Sequence, residues 1–97
     1  MIKVKWKFHH DAGHGWLEVE KQELERFNLA DKISQYSYVN GNKVYLEEDR
    51  DAGLFLKELA KGSEKGELTS SWCEVNVTEV DNGDRSNIRG MERYSFK

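Results

Sequence analysis

Asn40-Gly41 places the strongest local constraint on this chain. The pair tolerates positive φ at both central positions of a two-residue hairpin turn, and such turns match the twist of the strands they join. Ile33 to Val39 and Lys43 to Glu47 read as the partner strands on either side. Tyr36 and Tyr38 share one face of the first, while Val44 and Leu46 face opposite to Tyr45 in the second. An antiparallel pair is therefore predicted near the middle of the chain, and the rest of the fold has to be built around it.

Upstream, Met1 to Phe8 sets Ile2, Val4, Trp6 and Phe8 against Lys3, Lys5 and Lys7, the period of a strand with one wet face. His9 to Gly15 reads as a loop, and Trp16 to Val19 as a short second strand. Glu20 to Asn28 predicts a helix with Leu24 and Phe27 on its buried face and acidic residues in its first turn, where they suit the helix dipole. Asp31-Lys32 connects it to the hairpin. Beyond the hairpin, Asp49 or Asp51 is placed to cap a second helix running to about Lys61, with Ala52, Phe55, Leu56 and Leu59 as its apolar stripe and Gly62 as its stop. After a polar loop at Ser63 to Gly66, Leu68 to Val80 reads as a long strand containing Trp72, Cys73, Val75 and Val77. Asp81-Asn82-Gly83-Asp84 forms a turn, and Asn87 to Phe96 a last strand bent at Gly90. The order ββαββαββ predicts a single α+β domain, a largely antiparallel sheet packed with two helices. Ninety-seven residues leave no room for a second core.

Charge and composition narrow the function classes. Fifteen basic and 18 acidic residues give a net charge of −3, too balanced for a general nucleic-acid binder. The lone Cys73 excludes an intrachain disulfide and a multi-cysteine zinc site, and fits a reducing compartment. No apolar run reaches the roughly 18 residues of a membrane span, and Met1 to Phe8 lacks the continuous apolar region of a signal peptide. A cytoplasmic protein is expected, without a membrane partner. The phosphate-cradling Gly-rich motif and the G-x-S-x-G elbow are both absent from the sequence, so no cofactor and no catalytic residue is assigned. Asn76-Val77-Thr78 matches a glycosylation sequon, discounted because nothing points to secretion.

Four clusters carry chemistry. All three histidines fall within His9-His10-Asp11-Ala12-Gly13-His14-Gly15-Trp16. Imidazoles beside a carboxylate suit a divalent metal or a general base. Gly13 and Gly15 argue instead for a shaped loop anchored by Trp16, with the histidines solvated or bonded to backbone, and the spacing matches no zinc motif. Glu47-Glu48-Asp49 with Asp51, a run broken by Arg50, could hold Mg²⁺ or Ca²⁺, but helix capping and dipole compensation is the favoured reading. Tyr36-Ser37-Tyr38 with Tyr45 suits stacking on a ligand, or cross-strand packing. Lys3, Lys5 and Lys7 suit phosphate contacts, or edge protection.

Three runs, His10-Asp11-x-Gly13-His14-Gly15-Trp16-Leu17, Ile33-Ser34-x-Tyr36-Ser37-Tyr38 and Val44-Tyr45-Leu46-Glu47-Glu48-Asp49, resemble a group of small uncharacterised proteins of bacteriophages and bacterial mobile elements. The resemblance covers about half the chain, from His10 to about Leu59, and carries over no catalytic residue. It implies a phage-type accessory protein that binds a host protein or sequesters a small ligand of host defence, in the host cytoplasm. His10, Asp11, His14, Trp16, Tyr36 and Tyr38 are the expected contact surface, acting by occupancy without turnover. The alternative is a small metal-dependent hydrolase using His9, His10, Asp11 and His14; a third reading, single-stranded nucleic acid held by the lysine stripe and tyrosines, is less favoured. Pairing of the C-terminal strands with a second copy leaves a homo-oligomer open. The leading expectation requires the histidine-glycine loop and the tyrosine hairpin to meet as one accessible patch.

Overall fold

In the computed structural model, which describes residues 6–61, 77–81, 83 and 86–95, the elements run β1 (Trp6–His10), β2 (Gly15–Glu20), α1 (Lys21–Arg26), β3 (Tyr38–Asn40), β4 (Lys43–Glu47), α2 (Asp51–Ala60), β5 (Val77–Asp81) and β6 (Glu92–Arg93). They form an α+β fold whose six-stranded sheet has the order β5-β1-β2-β4-β3-β6. Every pairing is antiparallel except β1 with β5. No described helix is long and apolar enough to cross a membrane.

The central hairpin forms with its turn one residue later than the sequence suggests. Asn40 pairs with Lys43, so Gly41 and Asn42 are the turn residues. Gly41 has φ +63°, and Asn28 is the only non-glycine residue at positive φ among the described residues. One positive φ at the first central position is the pattern of a type II′ turn, which glycine accepts without a Cβ clash. Alternation along β4 puts Val44 and Leu46 at 0% exposure on one face and Tyr45 on the other.

That alternation gives the sheet two different faces. Leu17, Val19, Val44 and Leu46 face the helices, which contribute Leu24, Ala52 and Phe55. Phe55 is fully buried, with Trp6 and Phe27 edge-on at ring distances of 6.2 and 5.5 Å. Burial of a side chain this size is worth about 2–3 kcal/mol. On the opposite face, Trp16, Tyr45 and Ile88 form a smaller cluster flanked by Tyr38 and Met91.

Several elements depart from their predicted bounds. His9 and His10 extend β1 rather than forming a loop, because they pair with Trp16 and Gly15. The missing side chain at Gly15 makes room for Phe8: a Cβ there would lie 2.5 Å from the ring. α1 stops early, since Asn28 at φ +58° reverses the chain. Its N–H donates to Glu25 O and that of Leu29 to Leu24 O, the two bonds of a Schellman stop. Residues 33–37 are irregular backbone with a turn at 35–36, not strand, because Ser34 and Ser37 send their hydroxyls to Asp51. Neither Asp49 nor Asp51 caps α2: Arg50 holds that position, and Asp51 enters the helix fully buried. Asn87 to Phe96 is not one strand. Asn87–Gly90 is a 3-10 turn whose start is capped by Ser86 Oγ accepting from Ile88 N at 3.2 Å, and only Glu92–Arg93 extends. Met1 to Lys5, Gly62 with its expected helix stop, the Ser63 to Gly66 loop, and Leu68 to Asn76 with Trp72 and Cys73 lie outside the described residues, as do Asn82, Asp84, Arg85, Phe96 and Lys97.

Candidate binding cleft

Asp11 organises the loop between β1 and β2. Its side chain is fully buried. Oδ1 accepts from Gly13 N and His14 N at 3.0 Å each, so the carboxylate nucleates its own turn. Oδ2 accepts from Ser86 N at 2.9 Å, far along the chain. Arg89 completes the set, donating Nε to Oδ2 at 2.6 Å and Nη2 to Oδ1 at 2.9 Å. This two-point contact matches the fork of a guanidinium to a carboxylate. The Arg89 guanidinium holds the Asp11 carboxyl well below the usual carboxylate range, against a desolvation that pushes the other way; the N–H groups of Ser86, Gly13 and His14 reinforce it. Arg89 is pushed up in turn, first by its hydrogen bond to Asp11. Gly13 leaves room for this pair, since a Cβ there would stand 2.9 Å from Arg89 Nη2.

Arg89 so held lies 5.5 Å from the Trp16 ring centroid. Trp16 is 2% exposed and meets Tyr38 edge-on at 6.2 Å and His14 at 6.1 Å. Arg93 lies 5.4 Å from the Tyr38 ring and donates Nη1 to Gln35 O at 3.1 Å. Guanidinium over an aromatic ring is a favourable pairing of cation and quadrupole.

Around these rings opens a cleft of about 490 Å³. His14, Trp16, Tyr36 and Tyr38 line it, so the histidine-glycine loop and the tyrosine segment do meet. Tyr36 stands at the rim with 64% of its surface exposed. Three arginines and two carboxylates share the lining: Arg50, Arg89, Arg93, Glu47 and Asp49. Sequence reading passed over the arginines. For Arg89 and Arg93 the available signal is weak, two bases four apart in a segment with the look of a strand; Arg50 simply interrupts an acidic run.

The wall bearing Tyr36 is held by Asp51. Its Oδ2 accepts from Ser34 N at 3.0 Å, Ser34 Oγ at 2.6 Å and Ser37 Oγ, while Ser37 Oγ accepts from Glu47 N at 2.9 Å. Asp51 Oδ1 is buried without a hydrogen-bond partner among the described residues. Position in the first turn of α2 lets the helix N-terminus offset part of the buried charge.

The other expected site residues are dispersed. Asp11 is spent on the internal clasp, and His10, in the last pair of β1 with Gly15, lies off the cleft lining. His9 projects to the opposite face of β1 from His10, bonding Glu18 Oε1 at 2.8 Å with its ring 5.5 Å from Tyr45. Burial, with Glu18 nearby, pushes the Tyr45 phenol up. Among the described residues no three of His, Cys, Asp and Glu are grouped to hold a metal ion. The hydrolase alternative therefore has no ligand set there. The acidic run is likewise split: Glu47 and Asp49 face the cleft, Glu48 N donates to Gly15 O at 3.0 Å, and Asp51 is interior.

Compared with protein-family models, with curated proteins and with solved structures, the chain matches none.

Proposed function

We propose that this chain is a non-enzymatic binding protein whose cleft captures a small ligand and acts by occupancy, the accessory role implied by its resemblance to phage and mobile-element proteins. One observation carries this reading: Trp16, Tyr38, Tyr36 and His14, from two segments of the chain, line a single cleft of about 490 Å³. Small-molecule sites fall at about 300–1,000 Å³ and combine apolar walls with a few polar groups. This volume favours a small ligand over a host protein as the occupant. Buried Trp16 supplies a rigid floor and exposed Tyr36 an adaptable rim.

A fragment library screened by ¹H–¹⁵N NMR tests the proposal. Binders are expected to move the Trp16 indole and the amides of Tyr36 and Tyr38 together. Tyr36→Ala should weaken them several-fold while leaving the unfolding midpoint unchanged, since that ring is mostly in water. Fragments that perturb only other surfaces, or that bind Tyr36→Ala equally well, would count against the cleft.

A further inference from the structure

We infer that the ligand of this cleft is a guanine nucleotide, a flat base with two adjacent N–H donors joined to a phosphate. This rests on the binding reading above and narrows it to one chemistry.

Three kinds of group line the cleft, and each makes a separate demand. The first is cationic. Asp11 engages Arg89 through Nε and Nη2, which leaves Nη1 without a partner among the described residues and fixes the guanidinium plane before any ligand arrives. Arg93 gives Nη1 to Gln35 O, and its Nη2 has no partner among the described residues. Arg50 is exposed, and its side chain has no hydrogen bond or ion pair among the described residues. Guanidinium donors on one cleft suit an oxyanion with several acceptor oxygens, and Arg is the residue type best shaped for phosphate.

The second demand is for a flat apolar partner. Tyr36 is the only large apolar side chain that is strongly exposed among the described residues, and it stands at this rim. A base stacked on an aromatic ring typically gains tenfold or more in affinity.

The third demand comes from Glu47 and Asp49, which only accept hydrogen bonds when ionised. They repel a phosphate, so the anion belongs with the arginines and a donor edge belongs with the carboxylates. Guanine presents N1–H beside its N2 amino group, two donors matching the two oxygens of one carboxylate. Adenine presents a single amino group next to an acceptor nitrogen. Glu47 Oε1 already accepts from Asp49 N at 2.6 Å, so the carboxylate offered to the base edge is that of Asp49; a simple aromatic acid meets the first two demands and brings no donor to it.

Titration of the full chain with guanosine monophosphate, adenosine monophosphate, guanosine and inorganic phosphate, followed by calorimetry and ¹H–¹⁵N NMR, tests this. Guanosine monophosphate is expected to saturate while moving the Trp16 indole and Tyr36 amide, with guanosine and adenosine monophosphate each at least tenfold weaker. Arg50→Gln should weaken guanosine monophosphate about tenfold and leave guanosine unchanged; Tyr36→Ala should weaken both. Equal binding of the two nucleotides, or of guanosine and its monophosphate, overturns the assignment. So does silence toward all four, and the fragment screen then separates the cases: cleft binders of another chemistry sink the nucleotide alone, whereas none at all sinks the cleft with it.

Discussion

Replacing Asp51 by alanine tests how the Tyr36 wall is held. Three donors converge on Asp51 Oδ2, and the one from Ser37 comes from a residue at 0% exposure. Hydrogen bonds to a charged group contribute about 1.5–3 kcal/mol each, and a buried donor left without an acceptor costs about 1–3 kcal/mol. Ser34 is only part-buried, so water can replace some of what its two donors lose. The sum is a loss of about 3–5 kcal/mol. A chain of 97 residues has about 5–15 kcal/mol in total, so this is a large fraction. The assay is urea unfolding followed by tryptophan fluorescence, with an unchanged slope as the sign that only stability has moved. Asp51→Asn keeps one acceptor oxygen for the three donors but buries its amide N–H groups where Oδ1 has no partner, so it should still lose about 1–3 kcal/mol. A cycle with Ser37→Ala isolates the direct term: once the Ser37 hydroxyl is gone, removing Asp51 should cost about 1–3 kcal/mol less. Asp51→Ala within 1 kcal/mol of the parent, or a cycle with zero coupling, would refute the claim that this carboxylate anchors the wall.

Two further outcomes follow from the β1–β2 loop. Gly15→Ala puts a methyl group 2.5 Å from Phe8 Cζ and 2.9 Å from Glu48 Oε2, so the ring and strand must shift; overpacking of this kind costs about 1–3 kcal/mol, or roughly 5–20 °C in Tm, and an unchanged melting temperature would contradict the tight approach. Asp11 has its pKa depressed by Arg89, so its stabilisation is complete above the ordinary value of 3.8 and is lost as pH falls toward the lower folded value. The stability gap between the parent and Asp11→Asn should hold steady from about pH 7 to 5 and close progressively below about pH 4; denaturant midpoints that stay equally far apart under acid conditions would show that the clasp is not ionic.

Legibility in the sequence followed the range of the interactions. Lys43 to Glu47 could be read to the residue because alternation of Val44, Tyr45 and Leu46 is a local signal and a nearby glycine turn fixes the register. Ala52 and Phe55 were readable for the same reason at helical spacing. Ile33 to Ser37 looked like strand by composition, yet Ser34 and Ser37 bond a carboxylate 17 and 14 positions away, and no local pattern records that. Asn87 to Gly90 likewise takes its shape from Ile88 packing with Trp16 and Tyr45. Within the cleft, His14, Trp16, Tyr36 and Tyr38 stood out because polar aromatics beside glycine and serine are unusual in so short a chain. Arg89 did not, since the partner that defines it is 78 residues away.

The position of the cleft follows from the two faces of the sheet. Helices cover the middle of one face, leaving Leu17, Val44 and Leu46 at 0–1% exposure, while Trp6, Phe8, Val39 and Val77 toward its edges are partly buried. The other face carries Trp16, Tyr38 and Tyr45, rings too large to be left in water without cost. No helix packs there among the described residues; the 86–91 segment supplies Ile88 and Met91 instead. That segment has little ladder of its own, since β6 contributes only two residues to the sheet. It is held by Asp11 through Ser86 and Arg89, and by Tyr94 N donating to Ser37 O at 2.8 Å. Ile88 therefore completes the cover over Trp16 and Tyr45, and Arg89 and Arg93 lie across the rings of Trp16 and Tyr38 where an apolar layer would otherwise continue. A cation on a ring satisfies the aromatic face while keeping donors turned to solvent. The space between those arginines and Tyr36 therefore borders the second core with polar edges, and the proposed occupant, flat on one side and anionic on the other, would extend that core as Ile88 extends it on its own side.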